Sequence, residues 1–111
     1  MFDAARIARM KPSARLINTA RGGIVEEAAL YAALTAGKLA GAGVDVFSPE
    51  PPLTDNPLFT LQNVIVAPHM AGNSRESLDR KAVTVVRNLL SVLDGAPRTE
   101  YVVNPDALRA K

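Results

Sequence analysis

Apolar positions along the chain follow two different rhythms. Three short runs, Arg15–Thr19 (RLINT), Ala40–Phe47 (AGAGVDVF) and Val64–Ala67 (VIVA), are nearly continuous and have the length of buried strands. Other stretches repeat at helical spacing. Phe2–Met10 predicts a short helix that stops near Lys11-Pro12, because proline disfavours helix in the residue before it. Glu26–Ala36 predicts a second, with Leu30, Ala33 and Leu34 on one face. Glu26 and Glu27 suit its positive N-terminal end, and Gly37 suits its stop. The longest helix runs from about Ser74 to Leu93, with Leu78, Ala82, Val85, Val86, Leu89, Leu90 and Leu93 as its apolar stripe. Asn73 with Glu76 resembles a capping box at its start, and Gly95 and Pro97 end it. One helix follows the first strand and another follows the last, which predicts an α/β fold with parallel strands and crossover connections.

Glycine and proline place the turns. Arg21-Gly22-Gly23 predicts a turn after the first strand, since glycine accepts backbone angles that other residues resist. Gly41 and Gly43 predict close packing within the second strand. Ser48–Pro57 holds four of the chain's eight prolines and predicts a stiff loop, followed by a helical turn at Pro57–Leu61. Tyr101–Val103 predicts a short extended segment. There is no internal repeat and no low-complexity tract.

Composition narrows the class. At 111 residues the chain has room for one small domain and part of a second, and an apolar share of 48% excludes a disordered chain. No apolar run approaches the length of a membrane span, and the opening MFDAARIARMKPSA lacks a signal-peptide core. Together with the absence of cysteine this fits a cytoplasmic location. A net charge of +2 with scattered basic residues gives no expectation of nucleic acid, and none of a membrane partner. One histidine without cysteine leaves no dedicated metal site. Gly41-Ala42-Gly43 begins like a dinucleotide fingerprint, but its later glycine is absent and the segment reads as strand.

The chemistry concentrates at the strand ends. Arg21, Glu50 and His69 each follow one of the three apolar runs. In a parallel sheet those ends share one edge, where open α/β folds bind ligands. The Arg21 fork suits a carboxylate, and His69 is the one side chain that titrates near neutrality when unperturbed. Glu50, set among prolines, would favour a protonated imidazole if the two met. Each also has an ordinary reading: a solvated arginine, a loop acid, a histidine bonded to backbone. Asp45 lies within an apolar strand, so its carboxylate needs partners, either neighbouring backbone amides or a ligand amide.

The stretches INTARGGIVEEAAL, GAGVDVFSPEPP and NVIVAPHMAG resemble the C-terminal half of the nucleotide-binding domain of D-isomer-specific 2-hydroxyacid dehydrogenases. The resemblance runs from about Met10 to Leu93. It implies the C-terminal half of a Rossmann-like doubly wound parallel sheet ending in a long helix, with residues 1–95 in the NAD(P)-binding domain. Residues 96–111 would be a tail returning to the substrate domain. It further implies an oxidoreductase moving hydride between NAD or NADP and a small 2-oxo or 2-hydroxy acid. His69 would be the acid/base, Glu50 its partner and Arg21 the substrate-binding residue. Thr19, Ala20, Arg21, Asp45, His69, Ala71 and Gly72 would line the cofactor, Asp45 bonding the nicotinamide carboxamide. Ala67 and Asn73-Ser74 depart from the common pattern without touching the catalytic positions.

The resemblance also implies that the glycine-rich phosphate loop precedes this chain, so the chain reads as a fragment with little turnover of its own. Its uncovered strand edge and helix faces predict association, as a homo-oligomer such as a dimer. The alternative is a non-catalytic, dehydrogenase-like cofactor-binding or oligomerisation module.

Overall fold

Three parallel strands in the order β1 (Arg15–Asn18), β2 (Gly41–Val44), β3 (Val64–Val66) form the centre of the computed structural model, which describes residues 1–108. Helix α1 (Ala4–Ile7) precedes β1, α2 (Glu27–Thr35) joins β1 to β2, and α3 (Arg75–Leu93) follows β3. Contacts divide the chain into one unit over Met1–Gly72 and another beginning at Asn73. The last three positions of the expected tail, 109–111, lie outside the described residues.

Register explains which strand face is covered. Leu16 pairs with Ala42, and Asn18 with Val44. All four are buried, and the apolar three share one core with Leu30, Ala33 and Leu34 of α2. Alternation sends Ile17, Gly43 and Ile65 to the opposite face. There Ile17 is 73% and Ile65 78% exposed. Parallel sheets are normally covered on both faces. In this unit only one is.

Several boundaries differ from expectation for identifiable reasons. β2 ends at Val44 rather than Phe47. The Asp45 N–H still donates to Asn18 O at 3.0 Å, but then the chain turns inward and buries Val46 and Phe47 in the core. α1 spans four residues because Phe2 is extended: it forms a bridge with Val25, its N–H donating to Ile24 O at 2.7 Å. The expected packing at Gly41 holds, since an added Cβ would lie 2.8 Å from Asn63 O. At Gly43 the nearest atoms stand at an ordinary 3.6 Å.

In the second unit, the cap of α3 is Ser74, one residue later than expected; its Oγ accepts from the Ser77 N–H at 3.2 Å. α3 buries no residue, and the large residues of its apolar stripe stay exposed. Tyr101 closes a 3-10 turn, Thr99–Tyr101, rather than opening an extended segment. The Arg98 guanidinium sits 4.9 Å from its ring centroid and pairs with Glu100 at 2.9 Å, which favours the compact turn. No helix among the described residues is long and apolar enough to cross a membrane.

Gly22 marks the tightest join in the first unit. A Cβ there would fall 1.8 Å from Phe47 O and 2.3 Å from its carbon, both backbone atoms. Gly22→Ala is therefore expected to lower stability by about 1–3 kcal/mol through overpacking. Urea unfolding followed by circular dichroism measures this, and an unchanged midpoint would contradict the contact.

Candidate functional site

The turn after β1 is shaped by Asn18, a buried residue at the strand's last position. Its Oδ1 accepts from the Ala20 N–H at 3.1 Å, and its Nδ2 donates to Arg21 O at 3.0 Å. This is the local loop that asparagine builds well, its amide standing in for backbone. It leaves the Arg21 side chain exposed, with Nη1 donating to Ala20 O at 2.7 Å. Gly22 then seats the turn on the Phe47 carbonyl.

Asp45, just past β2, is 5% exposed and organises the segment after β3. Its Oδ1 accepts from the Met70 N–H at 2.7 Å and its Oδ2 from the Ala71 N–H at 2.9 Å. Its carbonyl accepts from the His69 N–H at 2.9 Å. A buried carboxylate is tolerated when donors surround it, and these three bonds hold His69–Ala71 against the end of β2. His69 has φ of 56°, a left-handed conformation uncommon outside glycine and kept only where neighbours enforce it. The Ala71 amide, then the Met70 amide, holds the Asp45 carboxyl below its ordinary value of 3.8; burial opposes this and the nearby His69 assists it.

The conformation of His69 brings its ring to Glu50. His69 Nδ1 and Glu50 Oε1 are 2.5 Å apart, with side chains 44% and 38% exposed. Glu50 belongs to the proline-rich loop, in which the Ser48–Pro49 and Glu50–Pro51 peptides are cis. Both residues line a hollow of about 500 Å³ whose remaining wall is largely apolar, including Phe47, Pro52, Phe59 and Val66. Phe47 and Phe59 meet edge to face, centroids 5.5 Å apart.

A second hollow, of about 330 Å³, lies over the bare sheet face. Ile17, Gly43 and Ile65 form its floor, and Thr19, Met70 and Ala71 stand at the strand ends. Asp45 and Ala67 belong to both hollows. A flat apolar ring fits such a floor, since Gly43 carries no side chain and the flanking isoleucines are open. These residues suit the nicotinamide end of a dinucleotide, whereas none of them offers a phosphate cradle of the glycine-rich kind.

Of the expected site residues, His69 and Glu50 are in contact. Arg21 follows the same carboxyl edge of the sheet, but its guanidinium bonds Ala20 O and lines neither hollow. Thr19, Asp45 and Ala71 line the second hollow; Ala20 and Gly72 adjoin it in sequence without forming its wall. Sequence reasoning passes over Asn18 and Glu27. An asparagine closing a strand before a small-residue turn is a readable signal. Glu27 looks like an ordinary helix-end acid, and its partners lie 21 and 29 residues away.

Residues 1–71 match the family model described as D-isomer specific 2-hydroxyacid dehydrogenase, NAD binding domain. The chain belongs to that family. It is 46% identical over 95 residues to a glyoxylate reductase of Korarchaeum cryptofilum, covering 86% of this chain and 29% of the relative. It is 44% identical over 108 residues to glyoxylate/hydroxypyruvate reductase B of Yersinia pestis, covering 97% and 33%. The solved D-lactate dehydrogenase of Aquifex aeolicus, complexed with NAD and lactic acid, superposes with a TM-score of 0.72 at 36% identity, covering 85% of this chain and 33% of that one. The chain thus spans about a third of the length of these relatives.

The Asp45 bonds set an acid limit on this part of the site. A carboxyl whose value is lowered on folding stabilises the fold above its unfolded value, and that contribution fades as pH falls through the lowered folded value. Protection of the Met70 and Ala71 amides from hydrogen exchange is therefore expected to hold near neutrality. It should still be present at about pH 4, near the unfolded aspartate value, and be lost selectively only at more acid pH, as the carboxyl protonates at its lowered folded value. Exchange read by NMR, with β2 amides as reference, checks this; uniform loss would contradict it.

Proposed function

We propose that the complete protein containing this chain is an NAD(P)-dependent 2-hydroxyacid dehydrogenase in which His69 is the acid/base. The observation that carries this reading is the His69 Nδ1–Glu50 Oε1 contact of 2.5 Å at the wall of an apolar hollow. With Nδ1 engaged by the carboxylate, Nε2 is the ring nitrogen left for substrate. In the reducing direction Nε2–H gives its proton to the keto oxygen, while Glu50 stabilises the charged ring. In the oxidising direction the neutral ring removes the proton of the alcohol. The dinucleotide, when bound, supplies or takes up the hydride at the substrate carbon.

Arg21 is proposed to hold the substrate carboxylate. Its support is placement at the same sheet edge on an exposed turn, from which its planar fork can leave Ala20 O. Asp45 is proposed to accept from the nicotinamide carboxamide. Each of its oxygens already takes one backbone N–H, and a carboxylate oxygen has a second lone pair to offer. Thr19, Ala20, Ala71 and Gly72 complete the proposed cofactor contacts around the second hollow. The substrate class is a small 2-oxo or 2-hydroxy acid. Residues 96–111 are proposed to return to the substrate domain, and the exposed apolar stripe of α3 is compatible with a covered face in a dimer.

His69→Gln in the complete enzyme is expected to lower kcat for glyoxylate or hydroxypyruvate reduction by about 10²–10⁴-fold. Cofactor affinity, followed by NADH fluorescence, should persist. Retained turnover would remove His69 from the acid role, whereas cofactor binding without turnover in the unmutated complete protein would favour a non-catalytic binding module.

A further inference from the structure

The proline-rich loop that carries Glu50 has one polar attachment at each end, and both are made by the same side chain. Glu27, the first residue of α2 and half-buried, accepts the Ser48 N–H on Oε1 at 2.8 Å and Asn56 Nδ2 on Oε2 at 2.7 Å. Asn56 is fixed in turn, because its Oδ1 accepts the Leu58 N–H at 3.0 Å and Leu58 is 1% exposed in the core. Between the two attachments lie residues 49–55, among them Pro49, Glu50, Pro51 and Pro52. The stiff loop is thus closed onto the N-terminal end of a helix, where a carboxylate is also favoured by the aligned backbone dipoles.

We infer that Glu27 is a positioning residue for the acid–base pair: it closes the loop so that Glu50 reaches His69 Nδ1. This inference rests on the His69–Glu50 reading given above. Glu27 touches neither imidazole nor hollow, so its effect passes wholly through the placement of Glu50. The bond polarity is specific. Glu27 supplies two acceptors, facing one backbone donor and one amide donor. Glu27→Gln turns an NH2 toward the Asn56 NH2, and Asn56→Asp sets two carboxylates against each other. Combined, the two changes invert the bond and restore it. The amide introduced on α2 would keep its oxygen for the Ser48 N–H and donate an N–H to the new carboxylate, whose other oxygen still caps Leu58.

The test uses the full 111-residue chain, in which His69 is the only histidine, so its imidazole nitrogens need no assignment. Their 15N shifts at a pH where the ring is neutral report which nitrogen holds the proton. The parent chain should favour the Nδ1–H form, bonded to Glu50, and Glu50→Gln should shift the balance toward the other tautomer. Glu27→Ala, Glu27→Gln and Asn56→Asp should each move it in the same direction, at least halfway to the Glu50→Gln value. The Glu27→Gln/Asn56→Asp pair should return it to within about a fifth of the parent value. Circular dichroism of the double variant guards against loss of fold.

An imidazole unmoved by Glu27 changes, yet moved by Glu50→Gln, overturns the positioning role and leaves the pair intact. Failure of the double variant to recover, with its fold preserved, overturns it as well. An imidazole unmoved by Glu50→Gln overturns both the pairing and this inference. In the complete enzyme the same series should lower kcat roughly tenfold through misplacement of the pair, and recover in the double variant, with KM for the dinucleotide unchanged.

Discussion

A buried carboxylate, Asp45, is the constraint on which the rest of the site depends. It stands where β2 leaves the sheet, and it draws the backbone of Met70 and Ala71 onto its two oxygens while its own carbonyl holds the His69 N–H. A charge in that position cannot be left without donors. The donors available come from the chain that follows β3, so satisfying the charge also fixes that chain. The left-handed backbone of His69 is over-determined by bonds on both sides of it, and the ring direction follows from the backbone. The placement of the imidazole is thus set by main-chain bonding one strand away.

The His69–Glu50 contact has a different character. Both side chains are substantially exposed, and ion pairs of that kind contribute little to folding. Its value lies in orientation: a carboxylate on Nδ1 selects the tautomer and the nitrogen presented to a ligand. Orientation of this sort requires that the carboxylate itself be held. A loop rich in proline is stiff, but stiffness alone does not aim it. Glu27, bonded to both ends of the loop, Asn56 on the buried Leu58, and Gly22 seated on Phe47 O supply the aim. Two scaffolds therefore converge, one through Asp45 for the imidazole and one through Glu27 for the carboxylate.

Local signals carry much of this arrangement in the sequence. The three strands, their parallel order and the turn at Gly22-Gly23 follow from apolar runs, helical spacing and glycine placement. The convergence of Glu50 and His69 follows from strand-end logic. What local pattern does not encode is long-range hydrogen bonding. Val46 and Phe47 read as strand because they are apolar, yet their burial comes from turning into the core after the last ladder bond. Glu27 reads as a helix-end acid because its partners are far along the chain. Asp45 leaves two readings open, backbone amides or a ligand amide; the backbone amides are occupied, which leaves only its remaining lone pairs for any ligand. Phe2 reads as helix by its neighbours, although it pairs as a bridge with Val25.

The two hollows give the proposed reaction its geometry. One is bounded by the imidazole–carboxylate pair and aromatic and proline side chains; the other lies on the bare sheet face over Gly43. They share only Asp45 and Ala67. Transfer between a ring on the sheet face and a carbon beside the imidazole requires approach to roughly 3–3.5 Å, so the partition between the hollows has to be thin. Ala67, beside the end of β3, and Asp45, its side chain folded onto backbone amides beside the end of β2, are the residues that border both hollows and stand where that approach would occur.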